Sequence, residues 1–179
     1  MDTDQTQRGN YLKFFAMIGS SMILMYLLTY LNSSDILGHA WFSETRLFMT
    51  LIMGSAMAII MLSFMVRMYK NTALNIAIFA AAAIILVTAV GLVRSQATVD
   101  DVDYMEGMIP HHSIAILTSE NARIEDPRVR DLADEIIEVQ RIEIKEMEWL
   151  IEDIRANGVA VGPGEAEARP VPEFTASEE

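Results

Sequence analysis

Residues 103–112 read Asp-Tyr-Met-Glu-Gly-Met-Ile-Pro-His-His, and they contain most of the candidate functional side chains of the chain. The stretch holds two thioethers, Met105 and Met108, and two imidazoles, His111 and His112. On a helix, residues three, four and seven apart share a face, so Met105, Met108 and His112 form one stripe with His111 at its flank. Thioether and imidazole ligands together favour Cu(I) over hard cations. Adjacent histidines also occur in helical cores without a metal. These residues are therefore consistent both with a metal site and with a metal-free core.

The composition divides the chain into two parts that suit different solvents. Of the 179 residues, 52% are hydrophobic, and the long apolar runs lie before residue 94. Residues 95–179 carry 21 acidic and seven basic residues, a net charge of −14. Such an acidic segment argues against nucleic acid as a partner, because phosphate binding requires Lys and Arg. The absence of Cys excludes disulfides, thiolate metal sites and cysteine nucleophiles.

Three apolar runs predict membrane-spanning helices over residues 11–31, 47–66 and 73–93, each long enough for a hydrocarbon core of about 30 Å. A polar loop follows the first run, and its His39 is expected to be solvated. Four basic residues lie at one end of the spans, Arg8, Lys13, Arg67 and Lys70, whereas Arg46 and Arg94 lie at the other end. The positive-inside rule therefore predicts an inner-membrane protein with a cytoplasmic N-terminus and everything after Arg94 outside the cytoplasm.

Two amphipathic helices are predicted after the third span. The first runs from about residue 99 to Ala122. The second begins at Asp126-Pro127, with Asp as the cap and Pro at the first helical position, and it ends before Gly158. The remaining residues are rich in Gly, Pro and Glu and lack periodicity. We therefore divide the chain into a cytoplasmic tail (1–10), a three-span domain (11–94), an extracytoplasmic hairpin (95–157) and a disordered acidic tail (158–179).

Two polar residues interrupt the apolar seam of the second helix. Gln140 and Glu143 stand where a helix that only packs would carry Leu, and burying an amide and a carboxylate is costly unless both are paired. A histidine, or a metal held by histidine, is the natural partner. In the metal interpretation Glu143 would orient a ligating imidazole. In the alternative, His112 and Glu143 form a buried polar contact without a metal.

These residues also resemble a known family. Met108-Ile-Pro-His-His112, an apolar helix and the segment 132–150 are similar in order and spacing to the domain-of-unknown-function family numbered 305, over roughly residues 103–154. The resemblance implies a ferritin-like helical hairpin repeat in secreted or membrane-anchored proteins, and some relatives are periplasmic copper-binding proteins of the CopM type. It thus implies metal ligands at His111, His112, Met105, Met108 and Met147. Gln140 and Glu143 would support those ligands.

The chain also departs from the family pattern. The family usually has Gln after the two histidines, where this chain has Ser113, and often Met in the next turn, where it has Leu117 and Thr118. Only one hairpin repeat is present, and a full bundle takes four helices. We therefore expect a homodimer in which two hairpins complete one four-helix bundle.

The second span carries methionines four residues apart, at Met49, Met53, Met57, Met61 and Met65. Met is an adaptable apolar filler, so packing is the simpler interpretation of this row. A thioether path for Cu(I) through the membrane is the alternative.

The fold class expected from the sequence is thus an all-α membrane protein: three transmembrane helices followed by an extracytoplasmic ferritin-like hairpin. The expected function is Cu(I) binding for buffering, sensing or transfer of copper at the membrane surface. The first alternative is a dimerisation or partner-docking module with a structural His–Glu contact, and the second is the methionine-lined conduit. The sequence contains no nucleophile–base pair or phosphate loop, so we do not expect an enzyme.

Overall fold

The computed structural model describes the backbone of residues 2–177 and the side chains of residues 9–177. The described chain is all-α, as the sequence predicts, with six helices: α1 (Asp2–Leu28), α2 (Glu44–Met65), α3 (Thr72–Ser95), α4 (Asp101–Asn121), α5 (Pro127–Asn157) and α6 (Pro163–Ala168). They divide into two compact units. Unit 1 holds residues 2–29 and 44–98, and unit 2 holds residues 30–43 and 99–177.

Unit 1 contains the three predicted spans. The segments Gly9–Leu28, Glu44–Met65 and Thr72–Ser95 are each long and apolar enough to cross a membrane. Helix α2 packs against both α1 and α3. A buried apolar cluster lies where the three helices meet, and its members are Tyr11, Phe14, Ile18, Leu62, Tyr69 and Ile78.

A buried polar contact fixes the short turn between α2 and α3. The Tyr11 hydroxyl lies 2.7 Å from the Asn75 side-chain oxygen and donates to it, and the Asn75 amide donates to the Tyr69 carbonyl at 2.7 Å. Asn71 caps α3 by accepting from the Leu74 backbone N–H. A polar group in this environment is costly unless it is hydrogen-bonded, so these contacts set the register of α1 against the turn.

Unit 2 is built on the predicted hairpin, in which α4 and α5 pack together. A capping box starts α4, because the Asp100 carboxylate accepts from Asp103 N–H and Asp103 reaches back to the Asp100 backbone. Asp126 caps α5, and α5 ends at Gly158, whose φ of 80° lies in the region that favours glycine. Between the helices lies an apolar cluster of Met105, Ile109, Ile116, Ile144 and Ile151.

Three boundaries differ from those expected. Helix α1 begins at Asp2, so residues 2–10 of the predicted tail are helical. The loop between α1 and α2 belongs to the unit of the hairpin rather than to the spans. The C-terminal segment, expected to be disordered, forms α6 and contacts α5, where Asp153 pairs with Arg169 and Lys145 donates to the Thr175 carbonyl. Met1, Glu178 and Glu179 of the predicted tails lie outside the described residues.

Candidate functional site

The hairpin brings His112 of α4 and Glu143 of α5 together, as one of the two sequence interpretations requires. His112 Nε2 lies 2.9 Å from Glu143 Oε2, and His112 Nδ1 lies 2.9 Å from the Met108 carbonyl oxygen. The imidazole is buried, with 8% of its residue surface exposed, whereas the Glu143 side chain is partly open to solvent. The contact is therefore a cross-helix pair with one buried and one accessible partner.

The partners of His112 determine where its protons lie. A carbonyl oxygen only accepts, so Nδ1 carries a hydrogen and donates it to Met108. The second nitrogen, Nε2, faces a carboxylate oxygen of Glu143 at hydrogen-bond distance. Nε2 is therefore the point at which the imidazole of α4 meets the carboxylate of α5.

Two of the predicted thioether ligands lie one turn from this pair. Met108 precedes His112 by four residues and Met147 follows Glu143 by four, and in an antiparallel hairpin both steps run in the same direction. Met147 packs against the apolar cluster between the helices, and Met105 is a buried member of that cluster. Met105 is therefore held by apolar packing, whereas Met108 is only partly buried.

His111 lies on the exposed side of α4. Its ring centroid is 5.9 Å from that of His112, in an edge-to-face arrangement. The adjacent histidines thus differ in role, because His112 is bound on both nitrogens while His111 is open to solvent. An exposed imidazole can accept an ion first, and a buried one can fix its position.

Gln140, the second predicted supporting residue, carries a buried side-chain oxygen with no hydrogen-bond partner among the described residues. An unpaired buried acceptor costs about 1–3 kcal/mol, so it calls for a donor or a cation. No three His, Asp, Glu or Cys side chains of the described chain converge as a ready metal site. The donors that fit a soft metal here are thus the thioethers and imidazoles, with oxygen groups supporting them.

The loop between α1 and α2 contributes contacts that the sequence did not predict. Ser113, which follows His112, is fully buried, and its hydroxyl lies 2.8 Å from His39 Nδ1. The same hydroxyl accepts from the Ser34 backbone N–H at 2.7 Å and lies 2.9 Å from the Ser34 hydroxyl. His39 is therefore half-buried and bonded to Ser113 within unit 2, rather than simply solvated as expected. The only feature of the sequence that pointed to this contact was the small residue Ser113, at a position where the family usually has Gln.

A cavity of about 490 Å³ lies beside this contact, lined by the loop, α4, α5 and the C-terminal segment. Burial raises the pKa of the Glu148 carboxyl in the cavity above its usual range, and His39 opposes the rise. Hydrogen bonds from the Gly38 and Leu37 backbone N–H groups hold the pKa of Asp35 below its usual range. The cavity therefore contains one carboxylate stabilised by hydrogen bonds and one carboxyl that burial disfavours as an anion.

The methionine row of the second span does not form one continuous surface. Met57, Met61 and Met65 pack against the apolar cluster of unit 1, whereas Met49 and Met53 are exposed. The inner part of the row thus fills space between helices, as the simpler interpretation expects.

Comparison with known proteins finds matches to the hairpin and the residues around it. Residues 95–174 match the family model described as Domain of unknown function (DUF305). The uncharacterized protein L153 of Acanthamoeba polyphaga mimivirus is 44% identical over 71 residues, which are 38% of this chain and 47% of that protein. The chain thus spans about half the length of the curated relative it matches. No solved structure matches the chain. The DUF305 match thus covers the hairpin and the segment after it, in a chain that also carries three candidate membrane spans.

Proposed function

We propose that this protein binds the soft metal ion Cu(I) on its hairpin and holds or hands over that ion at the membrane surface. The observation that carries the proposal is the His112–Glu143 pair, with Met108 and Met147 one turn away on the two helices. The basic residues at the opposite ends of the spans support an extracytoplasmic hairpin. The role is binding rather than catalysis.

The pair explains how a buried site stays intact without an ion. The hydrogen bond between Nε2 and Glu143 gives the buried imidazole a partner, so it is not left unpaired without a metal. An incoming soft cation would take the place of this hydrogen bond at Nε2, and Glu143 would then compensate the added charge. Exposed His111 offers the first imidazole, and the two thioethers supply the soft ligands that discriminate Cu(I) from hard cations.

The test is a Cu(I) titration of the full chain in lipid nanodiscs, under reducing conditions and against a competing chelator. We expect tight binding that the His111→Ala/His112→Ala double variant loses, and weaker binding in Met108→Leu/Met147→Leu. A matched control is Met49→Leu, an exposed methionine of α2. Binding no tighter than that of the chelator, or equal binding by all four proteins, would contradict the proposal.

A second candidate function is a docking or dimerisation module in which the polar pair only fixes helix register. It is favoured by one observation: both nitrogens of His112 already have partners within the hairpin. The same double variant distinguishes the two functions in metal-free buffer. Loss of assembly there, together with no metal affinity in the wild type, would favour the docking module.

A further inference from the structure

The cavity of about 490 Å³ in unit 2 is lined partly by the segment that follows α6, through Ala176 and Ser177. One face of α5 forms another part of the lining, with residues at helical spacing: Arg141, Ile144, Lys145 and Glu148. The Glu148 side chain is half-buried there and has no hydrogen-bond partner among the described residues. The segment after α6 therefore closes part of a cavity that contains an unpaired carboxyl.

Lys145 holds this segment at the cavity through main-chain carbonyls. Its ammonium group donates to the Thr175 carbonyl at 3.1 Å and to the Ser177 carbonyl at 3.0 Å. The hydroxyls of the same two residues lie 2.9 Å from each other. Both residues are exposed, so water competes for the two hydrogen bonds of Lys145 and their net contribution is small. This attachment is therefore easily released.

The other attachment of the segment is better shielded from water. Arg169 pairs with Asp153 at 2.5 Å, and the two side chains are only 25% and 15% exposed. Arg169 also donates to the Gly158 carbonyl at 3.2 Å. An ion pair gains strength as it leaves water, so this attachment outlasts that of Lys145. Asp153 follows Lys145 by eight residues on α5, so the segment runs back along the helix from one attachment to the other.

The residues between the two attachments favour movement as one piece. Pro170 and Pro172 carry no N–H and have a fixed φ, so they stiffen the segment and cannot donate to α5. Within the described part of the chain, residues 170–174 form no hydrogen bond. The segment is thus a stiff connection between a firm attachment at Arg169 and a weak one at Lys145.

We propose that residues 170–177 are a strap that turns about Arg169 and closes the cavity when Lys145 holds it. The structure contains the closed form. Opening requires only that the two surface hydrogen bonds of Lys145 break, and the pair of Arg169 with Asp153 then keeps the strap attached for reclosing. The strap thus controls the access of solutes to the Glu148 carboxyl. The inference does not depend on metal binding at His112.

Labelling of a single cysteine in the cavity tests the proposal, since the sequence has no native Cys. Glu148→Cys places a thiol on the cavity wall, and it breaks no hydrogen bond among the described residues. In the full chain in lipid nanodiscs, we expect a polar maleimide to label this thiol several-fold faster once Lys145→Met releases the strap. Because Lys145→Met also removes a cation near the thiol, it disfavours the reactive thiolate, so electrostatics would slow the labelling.

Two comparisons separate release of the strap from general loosening of the hairpin. Arg169→Ala detaches the other end of the strap and should also speed the labelling of Glu148→Cys. Glu138→Cys is the matched control, since Glu138 is exposed on α5 and does not line the cavity; its labelling should not respond to Lys145→Met. Unchanged labelling of Glu148→Cys in both strap variants would overturn the proposal, and so would equal acceleration at the two cysteine positions.

Discussion

At the scale of single residues, the buried imidazole of His112 depends on Glu143 more than Glu143 depends on it, because only the imidazole is shielded from water. Glu143→Ala removes the partner of Nε2 and leaves a buried polar atom without a hydrogen bond. We expect a loss of about 1 kcal/mol in the free energy of unfolding, at the low end of the cost of an unsatisfied buried group. Urea unfolding followed by tryptophan fluorescence measures it, since Trp41 and Trp149 both lie in unit 2.

Two variants control this measurement. Glu143→Gln keeps a side chain that can donate to the imidazole, so it should be milder than Glu143→Ala. Glu146→Gln changes a carboxylate on the same helix without a hydrogen bond to α4, so it should leave the unfolding midpoint in place. Equal midpoints for Glu143→Ala and the wild type would show that the pair contributes nothing to stability.

The raised pKa of Glu148 predicts that its contribution to the free energy of unfolding falls as pH rises, which is opposite to that of an ordinary paired carboxylate. Burial raises its pKa in the folded state, so the folded protein binds the proton more tightly than the unfolded chain does. Stability from this group is therefore greatest in acid and falls as pH rises from the unfolded pKa through the raised folded pKa. Glu148→Gln should stabilise the protein at neutral pH and have little effect in acid, as measured by thermal unfolding at several pH values. A variant equally stabilised at every pH would contradict this origin.

The sequence predicted the positions of individual residues where neighbouring residues of one helix determine them. It did not predict contacts between residues far apart in the chain. Gln140 and Glu143 break the apolar spacing of one helix, so their position in the seam could be read from the sequence. The His39–Ser113 contact joins residues 74 positions apart through an irregular loop, and no periodicity connects them. The tertiary contact alone makes His39 part of the hairpin unit.

Among the helices, the caps of α4 and α5 could be predicted from the sequence because a few adjacent residues determine each cap. Asp100 and Asp126 carry the signals for the two starts, and Gly158 carries the signal for one end. Helix α6 and the segment after it were not readable, because their order comes from contacts to α5, such as that of Arg169 with Asp153. The composition of such a segment predicts disorder, because composition contains no information about an ion pair that forms only in the folded state.

The capping box of Asp100 and Asp103 is expected to stabilise the start of α4. Asp100→Ala removes the acceptor of the Asp103 N–H at the start of α4, and loss of such a cap costs about 1 kcal/mol. We expect a lower unfolding midpoint for unit 2 and faster hydrogen exchange in the first turn of α4. Asp101→Ala, one residue later, serves as the control because Asp101 makes no capping hydrogen bond. Equal exchange rates in the two variants would argue against the box.

The methionine row of α2 is tested as an element by replacing Met53, Met57 and Met61 with Leu together. Two of the three pack against the apolar cluster of unit 1, and Leu fills a similar volume, so the spans should tolerate the change. We expect copper uptake into proteoliposomes to match that of the wild type. Uptake that falls in the triple variant, with helicity retained, would support the conduit instead.

At the scale of the whole molecule, the separation of an apolar and an acidic half was visible in the composition, yet the boundary between the compact units does not follow it. Residues 30–43 stand between two spans in the sequence but belong with the hairpin in the structure. Two spans separate this loop from the hairpin, so a chain that crosses the membrane at each of them has both on the same side. The loop's buried Ser33 and Ser43, and its Trp41 against the apolar cluster, explain why it belongs there.

Because the loop of residues 30–43 packs within unit 2, we expect it to stabilise the hairpin. A soluble fragment of residues 95–177 lacks Ser34, His39 and Trp41, so it uncovers the Ser113 hydroxyl and part of the apolar cluster. We expect such a fragment to unfold at a lower temperature than unit 2 of the full chain, with little exchange protection around residues 109–116. A fusion that joins residues 30–43 to 99–177 through a flexible Gly/Ser linker should restore both properties, because it resupplies the missing contacts without the spans. The same fusion carrying Ser34→Ala and His39→Ala should restore them only in part. If the bare fragment is as stable as the fusion, the loop is an accessory of the hairpin and not a component of its fold.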